Sequence, residues 1–202
     1  TTRTISQQVM SGSILLSTPD NPLSMSGDID MSGSSQVYNL ESTVTLESGE
    51  DVTFKGSASS LTSGGGSDKA HMSDDVIQDS TPMGDTQEEV FNDYFGTSSL
   101  ALVKSNFVHQ YTNSGNTNFS NTLDGMTGTS IWIEQTSGST ASLAGNTVLG
   151  TTANPVILVV NNGVLHISGN VSFSGFIFTL GDGSFINISG SATTSGGMVG
   201  TG

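Results

Sequence analysis

The sequence contains no cysteine and only four basic residues. Without cysteine the chain cannot form disulfides or thiolate metal sites, and thiol catalysis is excluded. Four Lys and Arg residues stand against 18 Asp and Glu residues, so the formal net charge is −14. Nucleic-acid binding requires basic side chains that neutralise phosphates, and an anionic membrane surface would repel this chain. We therefore expect no nucleic-acid partner and an acidic surface that favours solubility.

Long hydrophobic runs are also missing. The apolar run Val156–Val160 is far too short to span a membrane, which takes about 20 residues. The hydrophobic fraction is only 33%, while glycine is abundant at 26 residues. This composition favours thin β-structure with small residues at corners. For the middle of the chain, partial disorder is the alternative.

One unit is repeated inside the stretch from Asn154 to Gly196. The segment Ser168–Gly175 recurs as Ser189–Gly196, 21 residues later, in a Ser-Gly-x-x-x-x-Ser-Gly frame. The same frame occurs early, as Ser26–Gly33. A period of about 20 residues with short alternating segments is typical of coiled β-architectures. We predict a mainly β fold, a small β-solenoid of stacked short strands with an inserted helical and irregular segment.

The two groups of β-segments lie at opposite ends of the sequence. We predict a single domain over 1–202, with β-rungs over 23–60 and 141–200 and an insertion over 61–130. In this arrangement the N-terminal coils stack against the C-terminal coils, and the insertion bulges out or covers an end. Residues 63–68 and 111–130 are rich in Gly, Ser and Asn and are predicted as loops.

Helical spacing appears between residues 85 and 110. Asp85 can cap a first helix, with Glu88 three residues later, and Gly96 can end it. Ser98 or Ser99 can cap a second helix, which would form an αα-hairpin with the first. The apolar residues expected to face inward are Val90, Phe91, Tyr94, Phe95, Leu102, Val103, Phe107 and Val108.

No arrangement of side chains predicts catalysis. The three histidines His71, His109 and His166 form no HExxH motif or close pair. Asp28 and Asp30 would share a strand face, and Asp74 and Asp75 a loop, but a solvated acidic face is the simpler interpretation. The only basic residues that could assist a carboxylate are Arg3, Lys55, Lys69 and Lys104. We predict no catalytic and no cofactor-binding residues.

Calcium is a possible bound metal. The EF-hand and the glycine-rich nonapeptide patterns are absent, and Gly181-Asp182-Gly183 alone is a weak signal. We assign no metal ligands. Trp132, the only tryptophan, lies in a short apolar strand and is expected in the core.

Several segments resemble the PilX-type pilus-assembly proteins, which are minor pilin-like proteins of Gram-negative type IV pilus systems. The similar segments are Asn154–Val159, Leu165–Val171 and Gly175–Phe178, with further support from 15–23, 27–33, 75–77, 88–96 and 124–133. The resemblance implies a hydrophobic N-terminal helix, absent from this sequence, that anchors the precursor in the inner membrane. It also implies a non-enzymatic role beside other minor pilins and pilus subunits, in priming or at the tip with possible surface adhesion, outside the cytoplasm.

Two other interpretations remain open at this point. A bactofilin-like polymerising scaffold would form filaments by itself and would not need the helices. A glycan-binding or glycan-active β-helix would need carboxylates beside an aromatic platform, for which the candidates are Asp28, Asp30, Tyr111 and Trp132.

Overall fold

The computed structural model describes residues 14–17, 21–39, 44–62, 67–68, 76–78 and 86–202, and the fold is a parallel β-solenoid. Its strands form one sheet that winds through three ladders, so each full coil has three sides. The predicted mainly β, solenoid-like class is therefore confirmed. The strands are β1 Leu23–Met25, β2 Ile29–Met31, β3 Gln36–Asn39, β4 Leu46–Ser48, β5 Val52–Phe54, β6 Ser59–Thr62, β7 Ser67–Asp68, β8 Val76–Ile77, β9 His109–Asn113, β10 Thr117–Asn118, β11 Ser130–Leu143, β12 Val148–Leu149, β13 Val156–Ile167, β14 Ser172–Leu180, β15 Ile186–Ile188 and β16 Thr193–Gly200, and the helices are α1 Gln87–Phe95, α2 Leu100–Ser105 and α3 Ser120–Leu123.

The first ladder runs in the order β9, β11, β13, β14, β16, β1, β4 and β8. Its inward side chains form a column of buried aliphatic residues in continuous register. Side chains alternate between the two sides of a strand, so every second residue enters this interior. The column consists of Ile131, Leu158, Ile177, Met198, Leu23, Leu46 and Val76.

The other two ladders complete the interior. In the second ladder the inward column is Leu143, Ile167, Ile188, Met31 and Phe54. The third ladder stacks β12, β14, β16, β3 and β6, with Phe173 and Val37 in its inward column. Burial of each such side chain contributes about 1.5–3 kcal/mol, so this interior is the main source of stability.

The N-terminal coils continue the stack where the C-terminal coils end. Strand β1 pairs in parallel with β16, with Leu23 beside Met198 and Met25 beside Gly200. The expected stacking of N-terminal on C-terminal rungs is therefore present. Val76 is buried on β8, while Ile77 beside it is exposed.

A column of glycines forms the corner between the second and third ladders. Its members are Gly145, Gly169, Gly190, Gly33 and Gly56, all with φ between 73° and 77°. Each successive coil hydrogen-bonds to the one before it, as Ser191 N–H does to the Gly169 carbonyl at 2.8 Å. A Cβ on Gly190 would lie 2.6 Å from the Gly169 nitrogen, so only glycine allows this close stacking.

The sequence repeat corresponds to this stacking, with one correction. Gly175 pairs with Gly196, and Gly190 stacks on Gly169, so the two late copies of the repeat occupy equivalent positions. In the early copy it is the second glycine, Gly33, that stacks on Gly190. The early frame is therefore out of phase with the other two. It has the same residue types, but they occupy different positions in the coil.

The helices lie against the side of the solenoid. Helix α1 packs its aromatic residues on the outward residues of the first ladder, where Phe91 and Phe178 ring centroids are 5.7 Å apart. Of the two predicted placements of the insertion, helices α1 and α2 do not cover an end but lie outside the coils, against their side. The outward apolar side chains of β11, β13, β14 and β16 need cover from water, and α1 and α2 provide it. This second core contains Val90, Phe91, Phe95, Val103, Phe107, Trp132, Val159, Phe176, Phe178, Leu180 and Val199.

The helix boundaries differ slightly from the predicted ones. Thr86 caps α1 in a capping box with Glu89, one residue later than the predicted pair, and Asp85 lies outside the described residues. Gly96 ends α1 in the left-handed conformation, and Ser99 caps α2, both as predicted. Leu102 and Val108 were predicted to face inward but are 56% and 70% exposed.

The polar stretch 111–130 was predicted as a loop within the 61–130 insertion, and this is wrong. Strands β9 and β10 and helix α3 form a complete coil of the solenoid there. Its interior is closed by Phe119 and Leu123, with the Tyr111 and Phe119 rings 5.7 Å apart. Residues 67–68, also predicted as loop, form β7, which pairs antiparallel with β6.

Candidate functional site

Glu134 is the centre of the densest polar network among the described residues. It follows Trp132 by two positions on β11, so strand alternation turns both side chains outward. Its Oε2 accepts hydrogen bonds from Trp132 Nε1 at 3.0 Å and from Lys104 Nζ at 3.1 Å. The carboxylate therefore connects helix α2 to the wall of the solenoid.

Two consecutive asparagines complete this network. Asn161 lies beside Glu134 in the register of β11 and β13, and its Nδ2 donates to Oε1 at 2.7 Å. Asn162 Nδ2 donates to the same oxygen at 3.1 Å. Asn162 has φ 63°, so the chain turns a corner here and both amides point to one carboxylate. The pair thus forms a corner within β13.

The network determines the protonation of Glu134. Partial burial raises the pKa of this carboxyl, but hydrogen bonds from Trp132, Lys104 and Asn161 outweigh it, and the Lys104 charge adds to them. The net pKa lies below the ordinary value of 4.5. Glu134 is therefore ionised at neutral pH, which suits an acceptor that holds other groups in place but not a general acid.

A shallow cleft lies next to this network, between the helices and the corner. It has a volume of about 380 Å³ and is lined by amide and carboxylate groups together with leucines. Gln87, at the start of α1, accepts a hydrogen bond from the Gly181 nitrogen at 3.1 Å, which joins the helix to the opposite corner. The remaining lining residues include Leu100, Asn161, Asn162, Leu180 and Asp182.

The predicted carboxylates do not form a catalytic pair. Asp28 and Asp30 are both exposed, as expected for one strand face. Asp30 forms an exposed ion pair with Lys55, in which Oδ1 and Nζ are 3.3 Å apart. Asp28 accepts a hydrogen bond from the Asp51 nitrogen. Asp74, Asp75, Arg3 and Lys69 lie outside the described residues.

The proposed aromatic platform does not assemble beside these carboxylates. Trp132 is buried on β11 beneath Phe107, with ring centroids 5.4 Å apart. Tyr111 packs at the end of the interior, and β13 and β15 separate β11 from the strand of Asp30. Trp132 is thus in a core, as predicted, but the core is the one under the helices.

The histidines are also separated from one another. His109 begins the terminal strand β9, and His166 lies on β13 with Nε2 3.1 Å from Ser189 Oγ. His71 lies outside the described residues. Within the described ranges no three acidic, histidine or cysteine side chains are grouped as a metal site, and Asp182 stands alone at the cleft.

Sequence reasoning missed the network around Glu134. The available signal was an acidic residue at an outward position of the apolar segment Ile131–Glu134, two residues after the only tryptophan. A buried-strand carboxylate requires partners, which indicates a polar contact at that position. Nothing in the sequence identified Lys104, Asn161 and Asn162 as those partners, since they come from separate elements.

Comparisons with protein-family models, with curated proteins and with solved structures found no match to this chain. In the part of the chain that the structure describes, none of the helices is long and apolar enough to cross a membrane.

Proposed function

We propose that this chain is a non-enzymatic assembly module of the minor pilin-like, PilX type, which acts in priming or at the tip of a type IV pilus. The observation that carries the proposal is the place of the similar segments in the fold. Asn154–Val159 and Gly175–Phe178 pair with each other in the first ladder, and Leu165–Val171 continues the same coil. These three similar segments thus take part in building the stack.

The second ladder supports a docking role. Its outward row includes Ser142, His166 and Asn187 in continuous register, and Asp30 follows on β2. These side chains are half-exposed or exposed, and the two cores leave this side without helical cover among the described residues. Stacked strands present such flat surfaces, which suit contact with another subunit. The acidic charge favours basic or cation-bridged partners, so rising salt should weaken such contacts.

The test begins with the full-length precursor. We expect a short basic leader and about 20 apolar residues upstream of Thr1. We also expect the precursor to co-purify with pilus subunits and its deletion to reduce surface pili. The variant Asn187→Lys should weaken co-purification, whereas Thr193→Lys, at an exposed position of β16 in the third ladder, adds the same charge away from the row. A precursor without an apolar segment, or pili unchanged on deletion, would contradict the proposal.

A self-assembling β-scaffold is a second candidate function. It is favoured by strand β9, which pairs only with β11 and leaves one end of the stack uncovered by described residues. Filaments seen by electron microscopy of the purified chain would favour this candidate over the first.

A further inference from the structure

Strand β9 is an edge strand at the end of the solenoid. It pairs in parallel with β11 over its full length, from His109 beside Ile131 to Asn113 beside Gln135. No other described strand pairs with it. An unprotected edge exposes backbone donors and acceptors that can pair with another chain.

The register identifies the exposed backbone groups. Ile157 N–H donates to the Thr129 carbonyl, so the backbone groups of residues 129 and 131 point to β13. Because these directions alternate along a strand, the N–H and C=O groups of residues 130, 132 and 134 point toward β9. There they pair with the backbone groups of His109, Tyr111 and Asn113. In agreement with this direction, the Asn113 carbonyl accepts a hydrogen bond from the Thr136 hydroxyl on the β11 side. The N–H and C=O groups of Gln110 and Thr112 therefore point away from the solenoid.

The coil that carries β9 has almost no charge. Residues 105–123 contain no Asp, Glu, Lys or Arg, in a chain whose net charge is −14. Two copies of so acidic a chain repel each other over most of their surface. This end is where they can approach with the least repulsion.

Apolar side chains flank the exposed edge. Val108, directly before β9, is 70% exposed, and Leu102 on α2 is 56% exposed. The Gln110 amide donates to the carbonyls of Lys104 and Phe107 at 2.9 and 3.2 Å, so the end of α2 lies against the edge strand. An exposed backbone edge beside apolar side chains is suited to strand pairing.

The opposite end of the solenoid is protected in its second and third ladders. Val52 N–H on β5 donates to the side-chain oxygen of Gln78 at 2.7 Å, so a side chain occupies that edge. Strand β7 pairs antiparallel with β6, and β5 is flanked by the charged residues Asp51 and Lys55. Strand β8 is the first-ladder edge at that end, and Asp74, Asp75 and Asp79 flank it in the sequence, so the two ends differ above all in charge.

We propose that two copies of this chain pair through β9, antiparallel, about a two-fold axis at Tyr111. Gln110 of one copy then faces Thr112 of the other, which forms about four backbone hydrogen bonds across the axis. Val108 of each copy is covered in the same contact. Because the contact is isologous, it closes on itself and produces a dimer and no filament. Pairing through β9 is independent of the proposed pilus role, since it is a property of the purified chain alone.

The test is sedimentation equilibrium of the purified full chain from about 10 μM to 1 mM, a range chosen for weak dimers. We expect a monomer–dimer equilibrium that strengthens as salt screens the net charge. Thr112→Pro removes an outward N–H to which no described strand pairs, and Thr112→Glu brings like charges to the axis. Each should raise the dimer dissociation constant about tenfold or more.

Thr53→Glu is the matched control, because it adds the same charge on the edge strand at the far end and should leave dimerisation unchanged. Circular dichroism confirms that each variant remains folded. A chain that is monomeric at every concentration would overturn the proposal. A dimer that survives both Thr112 substitutions, or that Thr53→Glu weakens equally, would also overturn it, as would open-ended filaments.

Discussion

Leu23 lies directly beside Met198, in a parallel ladder that joins the N-terminal and C-terminal coils of the chain. Both side chains belong to one buried column that continues through Ile177 on one side and Leu46 on the other. The chain therefore leaves the stack after its N-terminal coils and returns at the far end. It then builds back toward the place where it began, so the interior is completed only when the last strand is in place.

The glycine column predicts that the loss of stability caused by a Gly→Ala substitution depends strongly on its position in the column. Gly190→Ala should destabilise the fold by about 3 kcal/mol, because it combines the strain of φ 74° with a Cβ close to Gly169. Gly145→Ala is the matched control at the open end of the same column, where nothing lies within 4 Å of the added Cβ. It should cost about 1 kcal/mol from backbone strain alone. Urea unfolding measures both, and equal losses would contradict the stacking argument.

Glu134→Gln tests the network between α2 and the corner. Loss of the charged acceptor should reduce the free energy of unfolding by about 2 kcal/mol at neutral pH. The pKa of Glu134 is lowered in the folded chain, so folding favours its ionised form. Its contribution is complete above the ordinary pKa of 4.5 and is lost as the pH falls through the folded value.

The difference between wild type and Glu134→Gln should therefore shrink as the pH is lowered from 7 toward about 3. Denaturant unfolding at a series of pH values measures this. Glu88→Gln, in the exposed first turn of α1, is the control and should lower stability by less than about 1 kcal/mol. A difference that grows on acidification would reject the assigned role.

Phe91→Ala should release the helices without unfolding the solenoid. Phe91 is buried between Phe95 and Phe178, with ring centroids at 4.5 and 5.7 Å, and its truncation should cost about 4 kcal/mol locally. Its cluster is separate from the inner one. Hydrogen exchange should accelerate at α1 amides but not at Leu158 in the first ladder. Leu102→Ala, exposed on α2, should change neither, and uniform acceleration would show that the two cores unfold together.

The ion pair between Lys55 and Asp30 should contribute little. Both side chains are more than half exposed, and the charged atoms are 3.3 Å apart. Exposed pairs are screened by water and salt, so Lys55→Met should change stability by less than about 0.5 kcal/mol. Thermal unfolding at low and high salt measures this, and a loss above about 1 kcal/mol would indicate a stronger contact than the geometry supports.

Several features could be predicted because their signals are local. The spacing of Gly169 and Gly190 predicted coils because stacked corners need a residue that accepts positive φ in each turn. Gly96 and Ser99 predicted helix ends because caps satisfy backbone groups within a few residues. The early frame ending at Gly33 wrongly suggested a third equivalent copy, because the same residue types can occur at a different phase of the coil.

Other features carried no local signal. The coil over 109–126 shows no strand pattern in the sequence, because its residues are mostly polar. Only pairing with β11 makes its segments strands. The outward positions of Phe176 and Phe178 follow from strand alternation. Alternation does not indicate which element covers them. The partners of Glu134 come from β13 and α2, so no spacing within β11 could have identified them.

The sequence by itself determined the class of fold, the repeated corners and the caps of the helices, because these depend on residues close together along the chain. The tertiary structure alone decided the order of the coils, the position of the helices on the side of the first ladder and the exposed edge at β9. The physical reason is that backbone hydrogen bonds between coils are available to any strand of suitable length. Which strands pair depends on how the whole interior column is filled, as where Leu23 meets Met198.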